Sequence, residues 1–160
     1  MVAQVSVKDN SIQVSNAIGE IVRKFPQITQ KALAQVSAFQ ISNIRTRTQK
    51  QGIDVNERPF KPYSVKYKRA KVKESGVVDL TDTGQMFSSL TSKVSPSKGV
   101  LFFRSQDANR KAFYHDEVGA GKSKVVRPFF GISDKEEDKI IKLFTNILEK
   151  EIKFWALEKI

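Results

Sequence analysis

The spacing of apolar side chains predicts one long helix in each half of the chain. Over residues 27–50 these side chains recur mostly three or four positions apart, which gives a helix with one apolar face. A second apolar face extends over residues 134–159 and follows the capping-box sequence Ser133-Asp134-Lys135-Glu136. Gly52 stands where the first helix should end, because glycine readily adopts the left-handed conformation that terminates helices.

The segments around these helices carry weaker patterns. Residues 1–14 alternate imperfectly between apolar and polar side chains, which predicts a short strand or an extended arm. A short helix should start at Asn16 and break at Pro26, because proline has no amide hydrogen to donate. Two strands are predicted within residues 91–104, joined by the loop Ser95-Pro96-Ser97-Lys98-Gly99.

Together these elements predict an α+β fold in a single domain over residues 1–160. Each long helix has one apolar face that needs another element to cover it. We therefore expect a small, mainly antiparallel sheet with both long helices packed on it, together with an extended arm and a long loop. No internal repeat or change of composition divides the chain.

The composition narrows the chemistry that the chain can perform. It has no cysteine and one histidine among 160 residues, so we expect neither a disulfide framework nor a metal site, and no cofactor. No apolar run approaches the about 20 residues of a membrane-spanning helix. Residues 1–14 also lack the continuous apolar stretch of a secretory signal, which predicts a soluble cytoplasmic protein without a membrane partner.

The net charge of +11 is concentrated in the first half of the chain, where residues 45–73 hold ten basic side chains against two acidic ones. Residues 52–76 also contain two prolines and no periodicity, which predicts a long basic loop that becomes ordered on assembly. Such a charge attracts nucleic acid or an acidic protein surface, although lysines that only maintain solubility explain it equally well. The aromatic residues of the loop could stack on single-stranded bases; they are Phe60, Tyr63 and Tyr67.

The sequence V-G-A-G-K-S at residues 118–123 falls short of a phosphate-binding loop. The motif G-x-x-x-x-G-K-S requires a glycine where Asp116 stands, and a carboxylate there would repel phosphate. Residues 125–130, which contain Pro128, are predicted to be extended where the motif needs a helix. We therefore predict a glycine loop that binds no nucleotide.

His115 is the remaining candidate for catalysis, because the neighbouring Asp116 and Glu117 could help it act as a general base. However, no nucleophile accompanies these residues, and consecutive side chains of an extended segment point to opposite faces. A partly buried or interface histidine is the better interpretation. The sequence therefore predicts no catalytic residue, and we expect that the protein is not an enzyme.

Four short motifs follow one another in an order that resembles a known family. They are R-P-F-K-P-Y-S at residues 58–64, L-T-D-T-G-Q-M-F-S-S-L at 80–90, A-F-Y-H-D-E-V-G at 112–119 and R-P-F-F-G-I-S at 127–133. With the helices around them, they resemble the virion-morphogenesis or tail-completion proteins of tailed bacteriophages over roughly residues 25–150. Phe60 stands where that family usually has tryptophan.

The resemblance implies a structural virion protein of the phage neck or upper tail without enzymatic activity. It would be a tail-completion or terminator-like subunit that forms a homo-oligomeric ring, a hexamer by family resemblance, at the head–tail junction. Its other partners would be tail-tube or head-connector proteins, with at most weak contact to DNA. It would be found in the virion, and in the host cytoplasm during assembly.

The basic loop and the R-P-F-F motif supply the candidate residues for contact with other subunits or partners. Arg127 could also pair with a carboxylate such as Asp82 or Glu117, either inside one subunit or between subunits. The alternative to the virion role is a basic accessory protein that binds nucleic acid. The candidate interface residues are Phe60, Tyr63, Lys66, Tyr67, Lys68, Arg69, Lys71, Arg127, Phe129 and Phe130.

Overall fold

The computed structural model describes residues 11–71, 76–122 and 124–157 and has an α+β fold. The long helices in each half of the chain and the antiparallel hairpin are confirmed. The elements in chain order are α1 (Ser11–Arg45), α2 (Val65–Ala70), α3 (Gln85–Ser88), β1 (Leu90–Val94), β2 (Gly99–Phe103), α4 (Gln106–Phe113) and α5 (Asp134–Leu157).

Helix α1 is longer than the sequence predicts, because it runs from Ser11 through Pro26 without a break. The predictions of a break at Pro26 and of an extended conformation for residues 11–14 are therefore wrong, whereas residues 1–10 lie outside the described part of the chain. Packing of α1 against α5 outweighs the local cost of the proline. The hydroxyl of Thr29 also donates to the backbone oxygens of Phe25 at 3.0 Å and Pro26 at 3.1 Å.

A π-helical turn, Thr46–Gln51, continues α1 to the residue predicted to end it. Gly52 has a φ of 66°, in the left-handed region, and its amide donates to the backbone oxygen of Arg47. A β-carbon at this position would lie 2.8 Å from the side chain of Val77. Both the conformation and the close approach therefore require glycine.

Replacing Pro26 by Ala should stabilise the protein. An interior proline costs a helix about 3 kcal/mol relative to alanine, but it also restricts the unfolded chain, so we expect a gain of about 1–3 kcal/mol in the free energy of unfolding. Chemical denaturation measures this change, and Gln27→Ala at the next exposed position should alter it by less than about 0.5 kcal/mol. A loss of stability in Pro26→Ala would show that α1 needs the proline to fit α5.

The hairpin packs on α1, and α5 packs chiefly along α1. Strands β1 and β2 are antiparallel, with Leu90 opposite Phe103 and Val94 opposite Gly99. Gly99 lies so close to α1 that a β-carbon there would be 2.9 Å from the hydroxyl oxygen of Ser37. Helix α1 is therefore the element that contacts both the hairpin and α5.

The core is centred on Phe129, which is fully buried. Its ring meets Phe87 edge-on, with 5.5 Å between the ring centroids, and Phe103 at 6.3 Å. The segment that follows the glycine loop thus packs against α3 and β2. The other buried members of this cluster are Ile44, Phe60, Leu80, Met86, Leu90, Ala108 and Ala112.

The start of α5 is held against α1 by a buried network around Glu136. The predicted capping box is confirmed, since the Ser133 amide donates to the Glu136 carboxylate at 3.0 Å and the Glu136 amide donates to the Ser133 hydroxyl at 3.3 Å. The same carboxylate accepts hydrogen bonds from Gln40 and from Arg47, and Arg47 also donates to the Phe129 backbone oxygen. Burial raises the pKa of Glu136, but these hydrogen bonds outweigh it and leave the pKa lowered.

Candidate subunit interface

The basic loop contains fixed structure in the part that is described. Ile53 and Pro59 pair across a turn, and the Asp54 carboxylate accepts hydrogen bonds from the amides of Asn56 and Arg58, both at 2.8 Å. Helix α2 then begins after Ser64, whose hydroxyl oxygen caps it. Residues 72–75 lie outside the described part of the chain, and ordering of the loop on assembly stays a prediction.

Several of the candidate interface residues are buried within the subunit itself. Phe60 and Phe129 belong to the core, and Phe130 packs against it, with 5.4 Å between its ring centroid and that of Phe103. Arg127 is also buried. Packing within the single chain therefore accounts for Phe60, Phe129 and Arg127, whereas Phe130 is half-buried.

Arg127 ties the R-P-F-F segment to the basic loop. Its guanidinium donates to the backbone oxygens of Lys61 at 3.0 Å and Pro62 at 3.1 Å, and it lies 5.2 Å above the ring centroid of Tyr63. Within the subunit, the prediction that Arg127 pairs with the carboxylate of Asp82 or Glu117 is wrong, whereas pairing between subunits stays a prediction. Backbone oxygens and an aromatic face stabilise the buried cation instead.

Tyr63 and Lys71 are held by Asp79, which the sequence did not single out. The Asp79 carboxylate accepts hydrogen bonds from the Tyr63 hydroxyl at 3.3 Å and from the Lys71 ammonium group. The Tyr63 oxygen in turn accepts from the amide of Leu80 at 2.9 Å. Burial is the main cause that raises the pKa of Tyr63 far above its ordinary value, and the charge of Asp79 raises it further. Lys71 is thus a structural residue of this cluster.

Helix α2 presents the members of the candidate set that remain on the surface. They are Lys66, Tyr67, Lys68 and Arg69. The ring of Tyr67 is tilted against that of Tyr63, with 4.9 Å between the centroids. The structure therefore reduces the predicted basic interface to three exposed cations and one aromatic side chain on a short helix.

Two exposed apolar surfaces were not identified as such from the sequence. The first, which we call the α1 seam, lies on one face of the first half of α1 and consists of Val14, Ile18, Val22 and Phe25. The second, the α4 patch, consists of Phe113, Tyr114 and Val118, and the rings of Phe113 and Tyr114 lie 6.1 Å apart between centroids. Helical periodicity does identify the apolar positions of the seam, but it cannot distinguish a face that another element covers from one that is exposed.

His115 lies in a π-helical turn, Tyr114–Val118, that continues α4. The prediction that this segment is extended is therefore wrong. The imidazole is partly buried, and its Nδ1 atom has no hydrogen-bond partner in the described part of the chain. Burial, followed by the charge of Arg127, lowers the pKa of His115 below its ordinary value of 6.5.

Acidification should destabilise the fold partly through His115. Because its pKa is below 6.5 in the folded state, the unfolded chain binds the proton first, and this contribution to stability is present above pH 6.5 and falls as the pH decreases below it. His115→Gln should remove the contribution, so the free energy of unfolding of the variant should depend less on pH between about 7.5 and 5.5. Denaturation curves at several pH values measure the slope. An equal slope in both proteins would contradict this role.

Asp116 has a structural role, because its side chain holds the backbone of the segment that follows the glycine loop. Its carboxylate accepts hydrogen bonds from the amides of Phe129 at 2.7 Å and Phe130 at 2.9 Å. Gly119 permits the loop to close, since a β-carbon there would lie 2.2 Å from the backbone oxygen of Lys124. Among the described residues, no helix follows this loop until α5 begins at Asp134.

The described ranges contain no helix with both the length and the apolar content that crossing a bilayer requires. They also bring together no group of three or more histidine, aspartate or glutamate side chains that could hold a metal ion. No family model, curated protein or solved structure matches the chain. The function is therefore argued from the exposed surfaces and from the order of the motifs.

Proposed function

We propose that this chain is a structural subunit of a phage neck or upper tail, of the tail-completion or terminator-like kind, which assembles into a ring at the head–tail junction. The observation that carries the proposal is the apolar surface that the described residues leave exposed. Monomeric proteins rarely expose contiguous apolar patches larger than a few hundred Å², and larger ones typically mark interaction sites. The α1 seam and the α4 patch together expose seven large apolar side chains.

The positions of the four motifs in the fold support the phage resemblance. One core cluster contains a residue from each of them, namely Phe60, Phe87, Ala112 and Phe129. Motifs that are far apart in sequence thus form one packing unit. Proteins that share this core would keep these core residues in the same order along the chain. The order of the four motifs, rather than any single motif, therefore favours the class of virion-morphogenesis or tail-completion proteins.

The proposal assigns two kinds of partner to two kinds of surface. Copies of this chain meet through apolar surface, and a ring of about six is what the resemblance implies. Neighbouring tail-tube or head-connector proteins meet the ring through the remaining polar surface. The exposed cations of α2 suit an acidic protein surface there.

Electron microscopy of the purified protein at about 150 mM salt tests the proposal. We expect closed rings of one diameter, because a structural ring subunit must close upon itself when its contact is repeated. Open filaments of variable length, or the absence of any assembled particle at high protein concentration, would contradict it.

Nucleic-acid binding is the second candidate function, and the exposed cations of α2 beside Tyr67 favour it. Contact through charge alone gives dissociation constants of about 1–100 µM at physiological salt. We expect binding of single- and double-stranded DNA to be no tighter than this at about 150 mM salt. The variant Lys66→Ser/Lys68→Ser/Arg69→Ser removes the α2 cations, and Lys93→Ser/Lys98→Ser/Arg104→Ser removes three other exposed cations as a control. Nanomolar binding that only the α2 variant loses would favour the second candidate.

A further inference from the structure

Alternation of hydrogen bonds along the hairpin shows which backbone groups of β2 point towards β1. Next to the turn, the Ser95 amide donates to the Lys98 backbone oxygen at 2.8 Å, and the Lys98 amide donates to the Ser95 backbone oxygen at 3.4 Å. In an antiparallel ladder every second pair of residues is bonded in this way. The register of the two strands therefore turns the amides and carbonyls of Val100 and Phe102 towards β1.

The outer edge of β2 has no hydrogen-bond partner in the described part of the chain. The same alternation turns the backbone groups of Gly99, Leu101 and Phe103 away from β1, and the described residues form no third strand beside them. The outer edge of β1 differs, because two of its carbonyl oxygens accept hydrogen bonds from the side chains of Gln30 and Arg45. An unpaired edge such as that of β2 is a template for another strand.

The sequence of β2 lacks the features with which proteins protect an exposed edge. Natural edge strands commonly carry a lysine, a proline or a bulge that prevents further pairing. Strand β2 reads G-V-L-F-F and pairs with β1 in an unbroken register. Val100 and Phe102 share its outward face and are 40% and 39% exposed. A strand added at this edge would complete the backbone hydrogen bonds and cover both side chains.

Residues 3–8, which precede α1, have the pattern of such a strand. They read A-Q-V-S-V-K and alternate strictly, so Ala3, Val5 and Val7 would share one face of a strand. The segment has six residues against the five of β2, and neither β2 nor residues 3–7 carry a charge. Pairing of these uncharged stretches involves no repulsion between side chains, although each copy carries a net charge of +11.

Helix α1 holds this segment too far from β2 of the same copy. Gly99 lies against Ser37, since a β-carbon at Gly99 would be 2.9 Å from the Ser37 hydroxyl oxygen. Ser11 and Ser37 belong to one helix, and a rise of about 1.5 Å per residue separates them by about 39 Å. The chain from Ala3 to Ser11 spans at most about 29 Å when fully extended. Residues 3–8 can therefore reach β2 only in another copy.

We propose that residues 3–8 of one copy add a third strand to the outer edge of β2 in a neighbouring copy. The free amides and carbonyls of β2 bond to this strand, and its valines cover Val100 and Phe102. The contact joins different surfaces of the two copies, so its repetition links subunits head to tail and can close a ring. This inference rests on the proposed function in that it names one contact through which the subunits of the assembly meet.

Disulfide cross-linking between two variants tests the docking, because the chain itself has no cysteine. Full-length Val5→Cys protein is mixed under mild oxidation with full-length Phe102→Cys or Val100→Cys protein of distinguishable mass. In a centred register Val5 lies opposite one of these two residues, within the distance that a disulfide spans. A covalent dimer with one copy of each variant should form at least about tenfold faster than with Ile132→Cys, a control site that is 54% exposed outside the sheet.

Amide hydrogen exchange in the assembled protein gives a second readout. The Leu101 amide lies on the free edge, whereas the Phe102 amide is already bonded within the hairpin. The variant Val5→Pro/Val7→Pro removes two backbone donors from the added strand. The Leu101 amide should therefore exchange at least about tenfold more slowly in the wild-type assembly than in this variant, whereas the Phe102 amide should exchange at similar rates in both.

Several results would overturn the inference. A mixed dimer that forms no faster than with Ile132→Cys would show that residues 3–8 do not meet β2. Faster cross-linking of Phe102→Cys protein with itself would show that β2 pairs with a second β2. A disulfide within one chain of Val5→Cys/Phe102→Cys would show that the segment folds back onto its own copy. Wild-type rings without the mixed dimer would contradict the docking and uphold the proposed function, whereas the mixed dimer without rings would uphold the docking and contradict the ring.

Discussion

Replacing Arg47 by Met is expected to lower the free energy of unfolding by about 3–5 kcal/mol, because it leaves a buried charge without its partner. The Arg47 side chain is 4% exposed and pairs with Glu136, which also caps α5. It further donates to the backbone oxygen of Phe129. Removal of the guanidinium therefore weakens the contacts that hold α1 and α5 against the core. Chemical denaturation measures the loss.

Two further variants separate the buried charge from general effects of substitution. Arg47→Met/Glu136→Leu removes both charges, so it should recover much of the loss, with about 1 kcal/mol still missing because the capping box is gone. Lys135→Met breaks an exposed ion pair with Glu57 and should cost less than about 1 kcal/mol. A cost for Arg47→Met as small as that of Lys135→Met would show that the buried network contributes little.

Replacing Phe129 by Ala should cost about 3–5 kcal/mol of folding free energy, the usual range for a large aromatic side chain in a core. Phe129 is fully buried and contacts Phe87 and Phe103 edge-on. Phe154→Ala, which truncates a side chain that is 53% exposed on α5, should cost less than about 1 kcal/mol.

The effects of the Phe129 substitutions also distinguish a core role of the R-P-F-F motif from an interface role. If Phe129 belongs to the core, its truncation lowers the stability of the isolated subunit, and Phe129→Leu, which keeps most of the volume, loses much less. If the motif were mainly an interface, truncation would impair assembly and leave the melting temperature of the monomer unchanged. The second result would contradict the structure of the core described above.

Local patterns in the sequence predicted the elements whose causes are local. The apolar face of α5 and its Ser133–Glu136 capping box, the hairpin and the end of the first helix at Gly52 all follow from residues close together in the chain. Helix α4 also has a local signal, because Ser105 caps it and Asp107 lies in its first turn. No element was predicted over residues 106–113, although that signal could have predicted this helix.

The remaining features depend on contacts between residues far apart in sequence. Pro26 stays within α1 because the flanking turns pack against α5, which local propensity cannot reveal. Arg127 is buried by the backbone of the basic loop, 65 and 66 residues away, so its charge suggested a carboxylate partner that it does not have within the subunit. Which side chains in the first half of α1 are covered likewise depends on contacts with other elements, which periodicity does not show.

The mass of the wild-type protein in solution, measured over a wide range of concentrations at about 150 mM salt, tests most directly whether this chain is an assembling subunit. A ring subunit should give a single species whose mass is an integral multiple of 18.1 kDa and exceeds that of two subunits. This species should persist on dilution, because every subunit of a closed ring is held by contacts with two neighbours. A folded monomer of 18.1 kDa at every concentration would contradict the proposed assembly.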